Sequence, residues 1–229
     1  MELLQNGYTL ELCDGAFPLS TDSMALAAFA RLPKNARVLD LGSGCGTLGL
    51  LLCAGNDNCH VTGVELSEEA HAMAQQNICR NGIPHRMESI CADLRAIPSR
   101  FQSGSFCVCI SNPPYFSSGA VSVRTPQARH ELSCSLEELF RSAAWATKYG
   151  GDFYLVHKPD RLAQLISLGS KFGLEAKRLG LLRHSPGKPI SLVLLQFRKG
   201  ANPGLAIEEL CLYDAAGQPT EDHRRIYQP

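Results

Sequence analysis

Two short clusters hold the residue types that chemistry needs. The first is Asp40-Leu41-Gly42-Ser43-Gly44-Cys45-Gly46, with Glu65 further along the chain. Glycines there permit a tight turn and let a ligand approach the backbone. A helix starting behind them presents unpaired N–H groups. An acid about 20 residues on suits the two hydroxyls of a ribose. Gly44, Gly46 and Gly49 also match the spacing of nicotinamide enzymes. Asp40 leans the other way. A carboxylate ahead of the glycines repels a pyrophosphate but suits the ammonium and sulfonium end of S-adenosylmethionine. On this segment alone the dinucleotide and the ordinary glycine-rich turn both stay open.

The second cluster, Asn112-Pro113-Pro114-Tyr115, decides between them. The prolines fix their own φ and bias the residue before them, which holds the Asn side chain in place. Its amide oxygen and the Pro113 carbonyl are two acceptors for the hydrogens of an exocyclic NH2. That arrangement points the nitrogen lone pair at a donor methyl. Tyr115 offers a ring for a planar base or amide. No strong base is needed, because the nitrogen loses its proton after the methyl arrives. Catalysis is then positioning for in-line displacement. A third candidate, Asp93, suits an adenine amino group, or caps a turn.

These residues need elements to carry them. Segments 36–41, 60–66, 87–94 and 106–111 read as buried strands. Helices follow the glycines at 47–54 and follow Ser67, an N-cap with acids behind it, up to about Arg80. A capping box at Ser135 and Glu138 opens a helix that the spacing carries to Tyr149, with Trp145 in the core. A strand over 152–157, a helix over 161–172 and an antiparallel pair over 176–182 and 190–198 complete the order. The pattern predicts an α/β, doubly wound, Rossmann-like seven-stranded sheet with an antiparallel C-terminal strand. Residues 1–35 read as a cap on the sheet with a helix over 23–30, residues 36–200 as the core, and residues 201–229 as a partly mobile tail. All belong to a single domain.

The motifs Asp40 to Gly46, Glu65, Asp93 and Asn112 to Tyr115 resemble those of class I S-adenosylmethionine-dependent amino-methyltransferases. Gln5-Asn6-Gly7-Tyr8, the stretch from Phe17 to Asp22 and the helix behind it are similar to the N-terminus of the bacterial valine-tRNA adenine N6-methyltransferase family. The resemblance covers about Gln5 to Arg198. It implies the class I methyltransferase fold, S-adenosylmethionine as cofactor and methyl transfer to adenine N6 in tRNA. Asn112, Pro113, Pro114 and Tyr115 are the implied catalytic set. Thr21, Asp22, Asp40, Gly42, Gly44, Gly46, Glu65, Leu66, Asp93, Leu94 and Asn112 are the implied cofactor set. The loop after the motif carries Arg124 and Arg129, similar to the family's substrate loop but sparser in arginine. Glutamine in a release factor and adenine in DNA are alternative acceptors. Only about 35 residues precede the core, too few for a release-factor enzyme's helical domain, and no room remains for a DNA target-recognition domain. A non-catalytic RNA-tethering module is the non-enzymatic alternative.

Composition agrees with these readings. The chain has 229 residues, 45% hydrophobic and 19% charged, which excludes global disorder. No apolar run reaches the roughly 20 residues a bilayer requires, and no export signal is visible. Ten cysteines therefore read as reduced, mostly core residues of a cytoplasmic protein. Cys107 and Cys109 lack companions at metal-ligand spacing, and no metal is expected. Net charge is zero, yet residues 171–200 hold seven bases against one acid. Lys177, Arg178 and Lys188 are the candidates there for gripping RNA phosphates. A monomer is the expected state.

Overall fold

The computed structural model describes residues 1–15, 19–115 and 134–227. A short antiparallel pair, β1 (Glu2–Leu3) and β2 (Thr9–Leu10), leads to α1 (Thr21–Phe29). Strand and helix then alternate through β3 (Arg37–Leu41), α2 (Thr47–Gly55), β4 (His60–Glu65), α3 (Glu68–Arg80) and β5 (Met87–Cys91). A helical turn, α4 (Ile97–Arg100), precedes β6 (Phe106–Ser111). After residue 134 come α5 (Leu136–Ala146), β7 (Thr147–His157), α6 (Leu162–Lys171), β8 (Leu174–Arg183), β9 (Ile190–Lys199), β10 (Ala206–Cys211) and α7 (Glu221–Tyr227).

Among the described residues, the main sheet has eight strands in the order β10-β8-β9-β7-β6-β3-β4-β5. Only β9 runs against its neighbours β7 and β8. The seven expected strands are all present, with the antiparallel one where the short 183–190 connection required it. Alternation along each strand feeds both faces. Val38, Val108, Tyr154 and Val156 enter one apolar cluster, while Leu39, Cys109, Phe153 and Leu155 enter the other. Helices α1, α2 and α3 contribute to the first and α5 and α6 to the second, as a parallel sheet buried on both sides demands.

Local chemistry explains the boundaries. Ser67 accepts from the Ala70 amide at 3.3 Å to start α3. Ser135 and Glu138 form the expected capping box on α5. That helix buries Leu136, Leu139, Phe140, Ala143 and Ala144, a stripe at helical spacing. It stops at Ala146, three residues before the predicted end. The β-branched Thr147 enters β7 opposite Phe106 and donates its hydroxyl to the Ala143 carbonyl at 2.7 Å. Trp145 is a correction: it lies off the apolar stripe and is 40% exposed. Gly49 lets α2 lie close on the sheet, since a Cβ there would come within 2.4 Å of the Met87 methyl.

The tail is a second correction. β10 extends the sheet in parallel with β8, from Ala206 opposite Arg178 to Cys211 opposite Arg183. Leu210, Leu212 and Ile226 are buried in the same cluster as α1. An uncovered β8 would have left a row of unpaired backbone groups. At the other end of the chain, Asn77 of α3 holds Glu11 by both backbone groups, at 2.9 and 2.8 Å. The same amide reaches the Cys45 carbonyl at 3.0 Å, so the N-terminal segment is tied to the glycine loop.

Candidate active site

Strands β3, β4, β6 and β7 run in parallel. Their C-terminal ends therefore bring Leu41, Glu65, Ser111 and His157 to one edge of the sheet. This is where an open α/β sheet binds ligands. Beyond Leu41 the chain turns over β4, and the Gly42 and Ser43 amides donate to the Val64 carbonyl at 2.9 and 3.1 Å. Gly42, Gly44 and Gly46 have φ values of 74°, 54° and 88°, left-handed conformations that disfavour other residues. A Cβ on Gly42 or Gly44 would meet nothing within 4 Å. Among the described residues, nothing covers the loop there.

Asp40 lies beneath this loop with no exposed surface. Among the described residues, neither carboxylate oxygen has a hydrogen-bond partner of normal geometry. Burial, and then the nearby Glu65 carboxylate, push its pKa up to about 7, against a small opposing pull from the Gly49 amide. An orphaned buried acid beside an open glycine loop fits a ligand that brings positive charge or N–H donors. Glu65 is also buried, but fully anchored: Oε2 accepts from the Gly44 amide at 2.8 Å and Oε1 from the Ser67 amide at 2.8 Å. Each oxygen keeps a lone pair for a hydroxyl. Leu66 beside it is exposed. The donor set thus fits the aminoacyl and ribose portions of S-adenosylmethionine.

Asp93, read as an adenine contact or a turn cap, makes the cap. It caps the turn at Leu94–Ala96, accepting from the Arg95 amide at 2.8 Å. The Arg95 guanidinium also engages both of its oxygens, which holds its pKa below the usual carboxylate range. Leu94 packs against the second apolar cluster.

Asn112 to Tyr115 follow β6 at the same edge. Asn112 Nδ2 donates to Ser23 Oγ at 3.0 Å. Among the described residues, nothing donates to Oδ1. The Tyr115 hydroxyl donates to Asp22, and its ring meets His157 edge-on at 5.0 Å. Lys158 Nζ lies over the ring, 4.9 Å from its centre. Burial, then Asp22, raise the Tyr115 pKa, so the phenol stays protonated. Thr21 Oγ1 and the Tyr227 hydroxyl are 2.5 Å apart. Thr21 and Asp22 are therefore both bound to protein groups. Ser23, His157 and Lys158 escaped the sequence reading. Ser23 directly follows the Thr-Asp pair, and His157 ends a strand at the catalytic edge; those were the available signals. His157 is buried, with Nδ1 accepting from the Lys158 amide at 2.8 Å and Nε2 unpartnered. Burial lowers its pKa, which keeps the ring neutral near neutral pH.

A family model described as the methyltransferase small domain matches residues 20–174. The chain belongs to this family. The resemblance read from the motifs is thereby borne out, and the nicotinamide alternative is set aside. Among curated relatives, the tRNA1(Val) (adenine(37)-N6)-methyltransferase of Bacteroides fragilis strain YCH46 is 30% identical over 80% of this chain and 77% of its own. The protein of that name from Bacteroides thetaiotaomicron is 28% identical over 92% and 89%. Among solved structures, a predicted O-methyltransferase from Agrobacterium tumefaciens superposes with a TM-score of 0.74. It is 22% identical and covers 90% of this chain and 94% of that one, a likeness of fold. Among the described residues, no helix is long and apolar enough to cross a membrane.

The RNA candidates fare unevenly. Arg124 and Arg129 lie outside the described residues. Arg178 is turned inward: its guanidinium stacks 4.1 Å from the centre of the Phe29 ring and pairs with Glu208 at 2.5 Å. Lys177 donates to the Asn202 carbonyl at 3.0 Å. Both lie in the half of β8 away from the catalytic edge. Lys188 is exposed, in the β8–β9 turn at that edge.

Proposed function

We propose that this protein transfers a methyl group from S-adenosylmethionine to the N6 nitrogen of an adenine in tRNA, in the cytoplasm. The observation that carries the reading is the Asn112 amide, which directly follows β6 at the catalytic edge and is held there by Ser23 at 3.0 Å. The relatives named above, tRNA adenine N6-methyltransferases, support the acceptor.

When bound, S-adenosylmethionine supplies an electrophilic methyl carbon on a sulfonium. The chain's own residues do the rest by holding groups in place. Asp40, buried beneath the glycine loop, would lend negative charge to the positive end of the donor, and the anchored Glu65 keeps lone pairs for its ribose. Asn112 Oδ1 and the Pro113 carbonyl accept the two hydrogens of the acceptor amine and orient its lone pair. Tyr115, fixed by Asp22, His157 and Lys158, forms the wall against the base. No residue has to remove a proton beforehand, so rate derives from orientation and from acceptors aimed at the positive charge that develops on nitrogen.

The test offers labelled S-adenosylmethionine with unmodified bulk tRNA, DNA and a release factor in parallel, followed by digestion to nucleosides. N6-methyladenosine arising from tRNA alone is the expected result. Label confined to the DNA or protein lane would overturn the acceptor. Asn112→Ala should lower transfer by about 100-fold or more while donor affinity stays within a fewfold.

A further inference from the structure

The first turn of α1 holds three different partners with three successive side chains. Thr21 meets the Tyr227 hydroxyl, Asp22 accepts from Tyr115, and Ser23 accepts from Asn112. The third contact bears on the reaction. A primary amide free at its tip presents either its oxygen or its NH2 group, two shapes with opposite hydrogen-bonding character. Only the oxygen serves an acceptor amine, which itself brings N–H donors. The prolines after Asn112 restrain backbone rather than the side chain, so the amide needs a separate tether.

We propose that Ser23 is the positioning residue that tethers the Asn112 side chain at the end of β6, an inference that rests on the amine-methylating reading of this site. Ser23 is 7% exposed and sits on a helix that is itself fixed, with Ala25, Leu26 and Phe29 buried behind it. Its Oγ lies 3.0 Å from Asn112 Nδ2. The bond crosses 89 residues of sequence, so the helix lends its rigidity to the end of β6. One N–H of the amide is engaged, so the side chain is held in place before any substrate arrives. Asp22 does the equivalent for the neighbouring Tyr115. The N-terminal helix therefore supplies the geometry of a motif that lies far from it in sequence.

The experiment compares Ser23→Ala and Ser23→Thr with the unaltered protein. Ser23→Ala should lower kcat for tRNA methylation by about tenfold to 100-fold. Donor affinity should stay within twofold and the melting temperature should hold. Ser23→Thr, which keeps the hydroxyl, should recover most of the loss. Unchanged turnover in Ser23→Ala overturns the proposal, and so does a loss that tracks donor affinity or melting, since that marks a structural role. A second readout needs no acceptor. With 15N-labelled asparagine, the Asn112 side-chain NH2 signals are assigned by their disappearance in Asn112→Ala. Their exchange with water should speed up in Ser23→Ala, and exchange that stays the same overturns the proposal. If the unaltered protein methylates no tRNA, the acceptor reading fails, and the exchange measurement still decides the role of Ser23.

Discussion

At the scale of single residues, Asp40 is the most unusual group in the site. Its carboxyl is buried without a sound hydrogen bond, and its pKa is raised from 3.8 to about 7. A carboxyl raised on folding stabilises the folded state in its protonated form. That contribution is complete below about pH 4 and disappears as pH rises through about 7. A cationic ligand reverses the preference by favouring the carboxylate. Donor affinity should therefore increase from about pH 6 to pH 8, with a proton released on binding at the lower pH. Calorimetry in buffers of different ionisation enthalpy measures both quantities. Asp40→Asn should bind more weakly at pH 8 and show no proton release; a pH profile identical to that of the unaltered protein would show that Asp40 does not titrate with the ligand.

Elements decide which charges are available to RNA. Seven bases in residues 171–200 read as one cationic face, but strand geometry divides them. Arg198 pairs with Asp152 at 2.8 Å, Arg183 with Glu209 at 3.1 Å, and Lys199 reaches the Ala144 and Thr147 carbonyls at 2.6 and 2.9 Å. Arg178 is part of the packing between α1 and β10. Lys188, in the turn, and Lys158, after β7, stand at the catalytic edge. Charge reversal at Lys188 or Lys158 should weaken tRNA binding and lower the salt slope by about one unit each. Reversal at Lys177 should change the slope by less. Filter binding across a salt series makes the comparison, and a larger effect at Lys177 would put the RNA on the opposite side. A sequence reports how many bases a segment has, whereas their pairing depends on acids brought from other strands. Trp145 illustrates the same limit, since one position off the apolar stripe turned it outward.

In the whole molecule, legibility follows the length of the contacts. Asp40 to Gly46, Glu65 and Asn112 to Tyr115 were readable because each motif sits beside the strand that carries it. The core strands were readable because a sheet buried on both faces leaves continuous apolar runs. What escaped depends on distant partners. Thr21 and Tyr227 are 206 positions apart, and nothing local in residues 201–229 marks β10 as a strand added beside β8. Deleting residues 221–229 removes Ile226 from the core and Tyr227 from Thr21. It should cost about 2–5 kcal/mol of stability, as large apolar truncations do, and reduce methyl transfer as α1 loosens. Thermal denaturation and the labelled-donor assay check this together; full activity and an unchanged melting temperature would show that the closing helix is dispensable.

The shared turn at Thr21, Asp22 and Ser23 also restricts how this gene can change length. Successive residues on a helix point about 100° apart. Removing or adding one codon there would rotate all three side chains past their partners at once. Tyr227, Tyr115 and Asn112 would lose their contacts together, although each can be altered separately by substitution. Insertions and deletions should therefore be tolerated in the exposed turn around Gly217 and purged from the first turn of α1, a contrast that a library of single-codon deletions would display directly.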